Sequence, residues 1–410
     1  MAELIEKGWG RFMKRSAGES DSCRRPAMPA IMIVALMAAA HGAADAQRSA
    51  DPAADPADLP VATDALQGLS LMESYAVRND FDVETLLNAV GPGETALQID
   101  LSGVPRLLDG TEIDGARIYG VAFVGPYPFE AAETRYAYAR FRRAGRIQGG
   151  VGEVRVKDLL WERFKSEEWT DRGTVMVRLE LYLETEGRDR ELGTYDFPLA
   201  FEAGAEGCSR LPWLVEGPFV CRLDSAHPDE AVIVFRTDRE LAPEVLLGDG
   251  RRLAGRQGRR HEIVIQDLEP ATLYEYRVKI GDLMTRSQTF RTPPVSGEMP
   301  VRFAFCGDSR EGYGGGRHAA MGVNALTLER LGALAYTRGA QFFVMGGDLI
   351  NGYTTSPPDF QTQFYAFRRA LSGFWRERPV YTIMGNHEAL LRVHKRAEND
   401  FIYLDAWPYA

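Results

Sequence analysis

The sequence lacks the excess of basic residues that nucleic-acid binding requires. It contains 48 lysines and arginines against 58 aspartates and glutamates, which gives a formal net charge of -10. Because a protein that binds a phosphate backbone needs a basic face, this balance argues against nucleic acid as a partner. A local basic pocket for a small anion stays compatible with it.

Long apolar runs are also lacking near the N-terminus. The run AIMIVALMAAA covers only residues 30–40, which is too short to span a bilayer comfortably. Arg24 and Arg25 precede it and the segment ADA at 44–46 follows, in the order charged region, apolar region and cleavage site that is typical of an export signal. We predict a signal peptide over residues 1–46, an exported protein that is periplasmic or secreted, and no stable membrane span after signal removal. A membrane anchor is the alternative interpretation.

Cysteine is scarce, with four residues in the whole chain. Cys23 would be removed with the predicted signal. Cys208 and Cys221 flank a short segment and could form a disulfide in an oxidising compartment. Two separate thiols are the alternative, and the sequence leaves both open.

The hydrophobic fraction of 45% is ample for a large core. Residues 47–65 are rich in Ala, Asp and Pro and have little to bury, which indicates a linker. Residues 66–205 alternate apolar and polar positions and predict a mainly β domain of unknown role, with a short helix over Val83–Val90.

One strand of this first β region carries a charged face. In TVMVRLELYLETEG, alternation places Leu179 and Leu181 toward the core, together with Leu183. Arg178, Glu180 and Glu184 then share the opposite face, and we expect solvent to cover it.

Residues 206–296 predict a β-sandwich, because short strands alternate with turn residues. Leu268, Pro270 and Tyr274 have the spacing of a tyrosine corner, in which the ring packs inward and the hydroxyl bonds back to the preceding chain. The segment resembles a fibronectin type III domain and the N-terminal sandwich of purple acid phosphatases. The resemblance implies a structural or positioning role.

From Val301 onward, strands alternate with helices, which indicates an α/β layered fold. Helices are predicted over 318–338 and 359–371. The three apolar strands end in VRFAFCGD, QFFVMGGD and VYTIMGNHE, each with glycine followed by a metal-ligand residue type: Asp308, Asp348, and Asn386 with His387. Since the ligand crevice of open α/β sheets lies beyond the carboxyl ends of the strands, we expect these side chains to converge.

The residue types suit phosphate-ester chemistry. A carboxylate can bridge two cations, an amide oxygen adds a neutral ligand, and an imidazole can bind metal or donate a proton. Two metal ions roughly 3.5–4 Å apart can clamp a phosphoryl group and lower the pKa of a bound water.

The motifs GDSR, GGDLING and GNHE resemble the first three motifs of the calcineurin-like metallophosphoesterase superfamily, over residues 297–410. The resemblance implies a multidomain protein that ends in a partial α/β layered sandwich with two divalent or mixed-valence metal ions. The resemblance implies that Asp308 is a ligand of the first metal, Asp348 bridges both metals and Asn386 binds the second. It implies that His387 is the proton donor to the leaving oxygen or an electrostatic stabiliser of the transition state, and that Glu388 is the acidic partner of that imidazole.

The chain also departs from the family pattern. Arg310 stands where the family often has a histidine; it cannot ligate a cation but can fork onto phosphate oxygens. His318 could replace that ligand or contact the phosphoryl group, or it could be a solvent-exposed residue at a helix start. Asn351 stands where purple acid phosphatases have a tyrosine, so the metals could be Mn, Fe or Zn. The family's later histidine motifs do not occur before Ala410. We therefore expect a fragment or a degenerate paralogue, with an incomplete metal site and no activity in these 410 residues alone.

These observations predict metal-dependent hydrolysis of a small phosphate ester, either a monoester or a diester. The alternative is a non-catalytic exported protein that binds through its β domains and carries a relic phosphoesterase domain.

Overall fold

The computed structural model describes most of the chain beyond residue 77. The described residues are 33–34, 77–127, 131–132, 141, 143–156, 172–224, 226–295, 300–310, 321–352, 354 and 356–388. The predicted cleavage site, the linker over 47–65 and His318 lie outside these residues, so the predictions made for them stay predictions. Strand β1 (Ile33–Val34) lies within the predicted signal segment.

The first β region forms one antiparallel sheet of eight strands. It consists of β2 (Val90–Gly91), β3 (Leu97–Asp100), β4 (Ile118–Pro126), β5 (Arg143–Gln148), β6 (Val151–Val154), β7 (Arg172–Leu183), β8 (Arg190–Gly204) and β9 (Gly207–Leu211). Their order in the sheet is β2-β3-β6-β5-β4-β7-β8-β9. Helix α1 (Val83–Asn88) confirms the predicted short helix, and Asp82 caps it by accepting a hydrogen bond from the Thr85 N–H at 2.7 Å.

The charged face of β7 is a correction to the sequence-based expectation. Leu179 and Leu181 are fully buried as predicted, but Arg178 on the opposite face is also buried. Its guanidinium forms a bidentate ion pair with Asp196 of β8, at 2.7 and 2.8 Å. At Arg178 this face is covered by another layer of the protein, described below, whereas Glu180 is half-buried and Glu184 is exposed to solvent as expected.

The second β region forms two antiparallel sheets. The first, in the order β10-β11-β14, consists of β10 (Leu214–Cys221), β11 (Ala231–Leu241) and β14 (Gly258–Ile265). The second consists of β12 (Glu244–Leu247), β13 (Arg252–Ala254), β15 (Leu273–Ile280), β16 (Leu283–Met284) and β17 (Gln288–Arg291). The Tyr274 hydroxyl accepts a hydrogen bond from the Glu269 N–H at 2.8 Å, which confirms the backward bond predicted for a tyrosine corner.

Thiol chemistry in this region is simple. No disulfide joins Cys208 of β9 to Cys221 of β10, and both side chains are buried. Of the two alternatives that the sequence left open, the structure shows separate thiols.

The C-terminal segment contains a parallel sheet. Strands β18 (Phe303–Cys306), β19 (Phe342–Met345) and β20 (Val380–Thr382) pair in parallel, and β1 lies beside β18 at the edge. Helix α2 (Ala325–Thr337) connects β18 to β19, and helix α3 (Pro357–Trp375) connects β19 to β20. All three predicted strands of this segment are therefore present.

Both helices differ in extent from the prediction. Residues 311–320 lie outside the described chain, and the described part of the first predicted helix begins at Ala325. The second helix begins at Pro357 instead of 359, because proline suits the first helical position and Ser356 caps it. In the part of the chain that the structure describes, no helix is long and apolar enough to cross a membrane.

Helix α3 is the structural centre of the C-terminal segment, because it is buried on almost every side. Its Tyr365 hydroxyl donates to the Asp196 carbonyl at 3.0 Å, and Arg369 lies 3.4 Å from the Asp196 carboxylate. Arg368 pairs with Glu216 of β10 at 2.6 Å. The helix thus contacts the first sheet and the second β region together, and one apolar core spans the first sheet and the parallel sheet. The domain boundaries stay a prediction.

Candidate functional site

Three loops meet at the carboxyl edge of the parallel sheet. Asp308 follows β18, Asp348 follows β19, and Asn386 with His387 follows β20. Hydrogen bonds from backbone N–H groups join the loops: that of Asp308 donates to the Gly347 carbonyl at 3.1 Å, and that of His387 donates to the Asp348 side-chain Oδ1 at 3.3 Å. The predicted convergence of the strand ends is therefore observed.

The two aspartates have the same unusual backbone conformation. The φ angles of Asp308 and Asp348 are 52° and 50°, in the left-handed region that non-glycine residues rarely adopt. Such conformations persist only where the surrounding structure imposes them, and they concentrate at functional sites. The backbone therefore turns in the same way after β18 and after β19.

A glycine is required where the third loop touches the second. A Cβ added at Gly385 would lie 2.3 Å from both the Asp348 nitrogen and its Oδ1. Any side chain there would push the loops apart. The role predicted for the glycines of these motifs, close backbone approach, applies at this position.

Arg310 lies between the two carboxylates. Its Nε is 3.8 Å from the Asp308 Oδ1 and 3.6 Å from the Asp348 Oδ2. The Nε atom is buried and has no hydrogen-bond partner among the described residues. The sequence placed Arg310 in the site, but the direct approach to both aspartates is a finding of the structure.

The imidazole of His387 is oriented by a backbone carbonyl. Its Nδ1 lies 2.6 Å from the Asn351 oxygen, and since a carbonyl only accepts, this nitrogen carries the proton. Nε2 then faces the Asp348 Oδ2 at 3.8 Å. Burial lowers the pKa of His387, and the Arg310 charge acts in the same direction, against the Asn351 carbonyl. The neutral ring is therefore favoured, with its Nε2 able to accept a proton or bind a cation.

Glu388 does not hold this imidazole, which corrects the pairing expected from the resemblance. Its Oε2 accepts hydrogen bonds from the backbone N–H groups of Asp348 at 3.0 Å and Gly385 at 2.7 Å. Its Oε1 accepts from Leu349 at 2.8 Å and Ile350 at 3.2 Å. The backbone N–H groups after β19 and β20 thus point toward the same place. The Glu388 carboxylate accepts hydrogen bonds from both segments and joins the second loop to the third.

Burial raises the pKa of the Glu388 carboxyl to about 6, although the backbone N–H donors favour its ionised form. The residue is 2% exposed. Its geometry is that of a positioning residue, which holds other groups in place without facing the crevice.

Three residues near His387 were missed as functional by the sequence. Asn351 orients the ring through its carbonyl, and a Cβ on Gly352 would lie 2.0 Å from the His387 oxygen. The Gly352 N–H donates to the Gln363 Oε1 of α3 at 2.9 Å. The sequence LING directly after Asp348 contains two of these residues. Its side chains could not predict their roles, because Asn351 and Gly352 act through backbone groups.

The segment that carries these three loops resembles a known protein family. Residues 301–410 match the family model described as Calcineurin-like phosphoesterase. This segment belongs to the calcineurin-like metallophosphoesterase superfamily. A search of curated proteins gave no match to the chain.

Two solved structures resemble the chain at low similarity. One is a purple acid phosphatase, PPD1, from yellow lupin (Lupinus luteus) seeds, with 11% identity, a TM-score of 0.34, and coverage of 53% of this chain and 55% of that one. The other is PhoD, with 14% identity, a TM-score of 0.31, and coverage of 43% and 38%. The chain thus spans about half the length of the first protein and less of the second.

The donor chemistry of the phosphoesterase segment fits a hard divalent cation at Asp348, with Asn386 and His387 following on the neighbouring strand end. The space between Asp308 and Asp348 fits a second cation poorly, because the buried Nε of Arg310 lies there. Within the described ranges, no group of three or more His, Cys, Asp or Glu side chains is arranged to hold a metal ion. His318, the other predicted contact, lies outside them.

Proposed function

We propose that the phosphoesterase segment hydrolyses phosphate monoesters or diesters at the carboxyl edge of its parallel sheet. The observation that carries the proposal is the convergence of opposite charges there. The Arg310 Nε lies within 4 Å of Asp308 and Asp348, and the His387 Nε2 lies 3.8 Å from Asp348. Carboxylates for a cation, a guanidinium for an anion and an imidazole for a proton thus occupy one crevice.

Each side chain has a distinct task in this proposal. Asp348 and Asn386 would hold a divalent cation, which supplies Lewis acidity toward phosphoryl oxygens and toward water. Arg310 binds phosphoryl oxygens. His387 takes up a proton from solvent at Nε2 and then gives it to the leaving oxygen, while the hydrogen bond from Nδ1 to Asn351 fixes the ring plane.

The finer parts of the proposal rest on the resemblance. These are a metal drawn from Mn, Fe or Zn, and a fibronectin III-like sandwich over residues 206–296 that positions the enzyme. The resemblance also implies a second metal ion, which the proposal does not adopt because the buried Nε of Arg310 lies beside Asp308 and Asp348. Export to the periplasm or the medium rests on the N-terminal pattern of residues 1–46. Arg310 is the residue that bears most directly on the number of metal ions.

The test is hydrolysis of p-nitrophenyl phosphate and bis-p-nitrophenyl phosphate by the full chain with added Mn²⁺. His387→Ala should lower kcat by roughly 100-fold or more, the scale of general acid–base catalysis. His227→Ala is the matched control, because His227 is exposed and pairs only with Asp224 at 3.3 Å. Equal kcat values for the His387 variant and the wild type would contradict its role.

A non-catalytic binding protein with a relic domain is the second candidate. The poor fit of a second cation beside Arg310 favours it. Absence of turnover of both esters, with Mn²⁺, Fe²⁺ and Zn²⁺ each supplied, would select this candidate over the enzyme.

A further inference from the structure

The inference starts from the way in which Arg310 faces its two aspartates. The separations of 3.8 and 3.6 Å exceed hydrogen-bond length, and the buried Nε–H has no partner in the described part of the chain. Leaving a buried donor unsatisfied is unfavourable. The position of the guanidinium is therefore explained by charge: it is the counter-ion of two carboxylates at neighbouring strand ends.

The backbone holds this charge in place. The Arg310 N–H donates to the Asp348 carbonyl at 3.1 Å, and Arg310 forms an antiparallel bridge with Val323. The hydroxyl of the preceding Ser309, which is fully buried, donates to the Leu349 carbonyl at 2.8 Å. The Cα of Arg310 is thus fixed beside the carboxylates, and only rotation of the side chain could remove its charge.

A divalent cation bound by both Asp308 and Asp348 would have to share this space. Metal–oxygen bonds are only about 2.0–2.2 Å long, so the cation would lie beside the guanidinium with too little water between them to screen two positive charges. Binding at the far side of Asp348, toward Asn386 and His387, does not require this.

The outer part of Arg310 remains available to an anion. The side chain is 32% exposed although its Nε is buried. Among the described residues, neither Nη group has a hydrogen-bond partner. A planar guanidinium presents its donors in a fork that matches two oxygens of a phosphate.

We propose that Arg310 is a resident cation that replaces one of the two metal ions, so that the site takes up a single divalent cation and binds phosphate-like oxyanions even without metal. The proposal rests on the proposed function for its choice of phosphate as ligand. Part of the positive charge that binds the anion then comes from Arg310 and part from the metal ion.

The first measurement is titration of the EDTA-treated full chain with inorganic phosphate by calorimetry. The wild type should bind phosphate, and Arg310→Gln should bind it at least ten-fold more weakly. Arg310→Lys keeps the charge but loses the fork, so its affinity should fall between them. Arg277→Gln, at an exposed position of β15, is the matched control and should bind like the wild type.

The second measurement is the number of Mn²⁺ ions bound per chain, by electron paramagnetic resonance. The wild type should bind one, and Arg310→His, which exchanges the charge for a neutral ligand, should bind two. Two ions in the wild type, none in the wild type, or equal phosphate affinity of wild type and Arg310→Gln without metal would each overturn the proposal. Circular dichroism of every variant identifies any that fails to fold, and Arg310→Lys then decides the phosphate result.

The two proposals fail in different ways. If the protein hydrolyses the esters but the Arg310 variants bind phosphate and Mn²⁺ like the wild type, the proposed hydrolase activity stands and the role of Arg310 as a resident cation is refuted. Phosphate binding that depends on Arg310, together with no turnover under any metal, would keep the anion site and refute the hydrolase.

Discussion

Replacing Glu388 by glutamine should loosen the junction between the second and third strand ends. The carboxylate accepts four backbone hydrogen bonds, two at each oxygen, from Asp348, Leu349, Ile350 and Gly385. Glutamine has nearly the same shape but only one accepting oxygen. Its NH₂ group must therefore face two of the four N–H donors, whichever way the amide is turned.

The magnitude follows from the number of donors left without an acceptor. A buried donor that loses its partner costs about 1–3 kcal/mol, so two of them lower the free energy of unfolding by roughly 2–6 kcal/mol. Because a folded domain is stable by only about 5–15 kcal/mol, this is a large fraction of the total. The loss falls at the loops that carry Asp348 and His387.

Urea unfolding followed by tryptophan fluorescence measures the stability change, and amide hydrogen exchange locates it. Exchange should accelerate at Asp348, Leu349, Ile350 and Gly385. Glu240→Gln, at an exposed end of β11, is the control and should change neither quantity. A Glu388→Gln protein within 1 kcal/mol of the wild type, with these amides still protected, would refute the reasoning.

Two further predictions concern other contacts of the site and its support. Gly352→Ala should lower the unfolding free energy by about 1–3 kcal/mol, because the new Cβ would lie 2.0 Å from the His387 oxygen. Gly281→Ala, also at positive φ but in open space, is the control that measures the backbone effect alone in a thermal melt. Equal losses of stability in the two variants would contradict the predicted clash. Although burial acts in the opposite direction, Arg368 and Arg236 lower the pKa of Glu216 to about 2. Ionised Glu216 should therefore contribute about 3 kcal/mol to the free energy of unfolding above pH 4.5, and this contribution is lost as the pH falls toward 2. A Glu216→Gln protein whose acid unfolding matches that of the wild type in this range would refute the prediction.

The positions of the candidate site residues were predictable because the sequence signal for them is short-range. An apolar strand followed by glycine and Asp308 or Asp348 fixes a side chain at a known edge of a parallel sheet. Tyr274 was predictable for the same reason, since its bond to Glu269 spans only a few residues. Local patterns contain enough information for contacts of this kind.

The tasks of Glu388 and Asn351 could not be predicted in the same way. Glu388 follows a histidine in sequence, which favoured a side-chain pairing, but the N–H groups it serves come from two different loops. Asn351 acts through its carbonyl, a group that every residue has. Side-chain patterns do not distinguish such backbone roles.

The buried charges show the limit imposed by tertiary structure. Alternation along β7 placed Arg178 on a solvent face, but α3 covers that face and brings Arg369 to within 3.4 Å of Asp196. A strand pattern distinguishes the two faces of a sheet. Whether the polar face meets water or another charged layer depends on a helix located almost two hundred residues further along the chain.

The contacts of α3 also bear on the first β region, whose role the sequence left open. Asp359 at the start of α3 accepts hydrogen bonds from the backbone N–H groups of Arg78 at 2.9 Å and Asn79 at 3.1 Å. One turn later, Gln363 holds the Gly352 N–H, next to the residue whose carbonyl orients His387. Because a buried carboxylate needs its hydrogen-bond partners, removing the segment before β2 would take away the Arg78 and Asn79 donors. Among the described side chains, the Gln363 amide at 3.4 Å would then remain as a donor to Asp359. The first β region therefore packs against the phosphoesterase segment as an integral layer, and its contacts reach the loops at the carboxyl edge of the parallel sheet through α3.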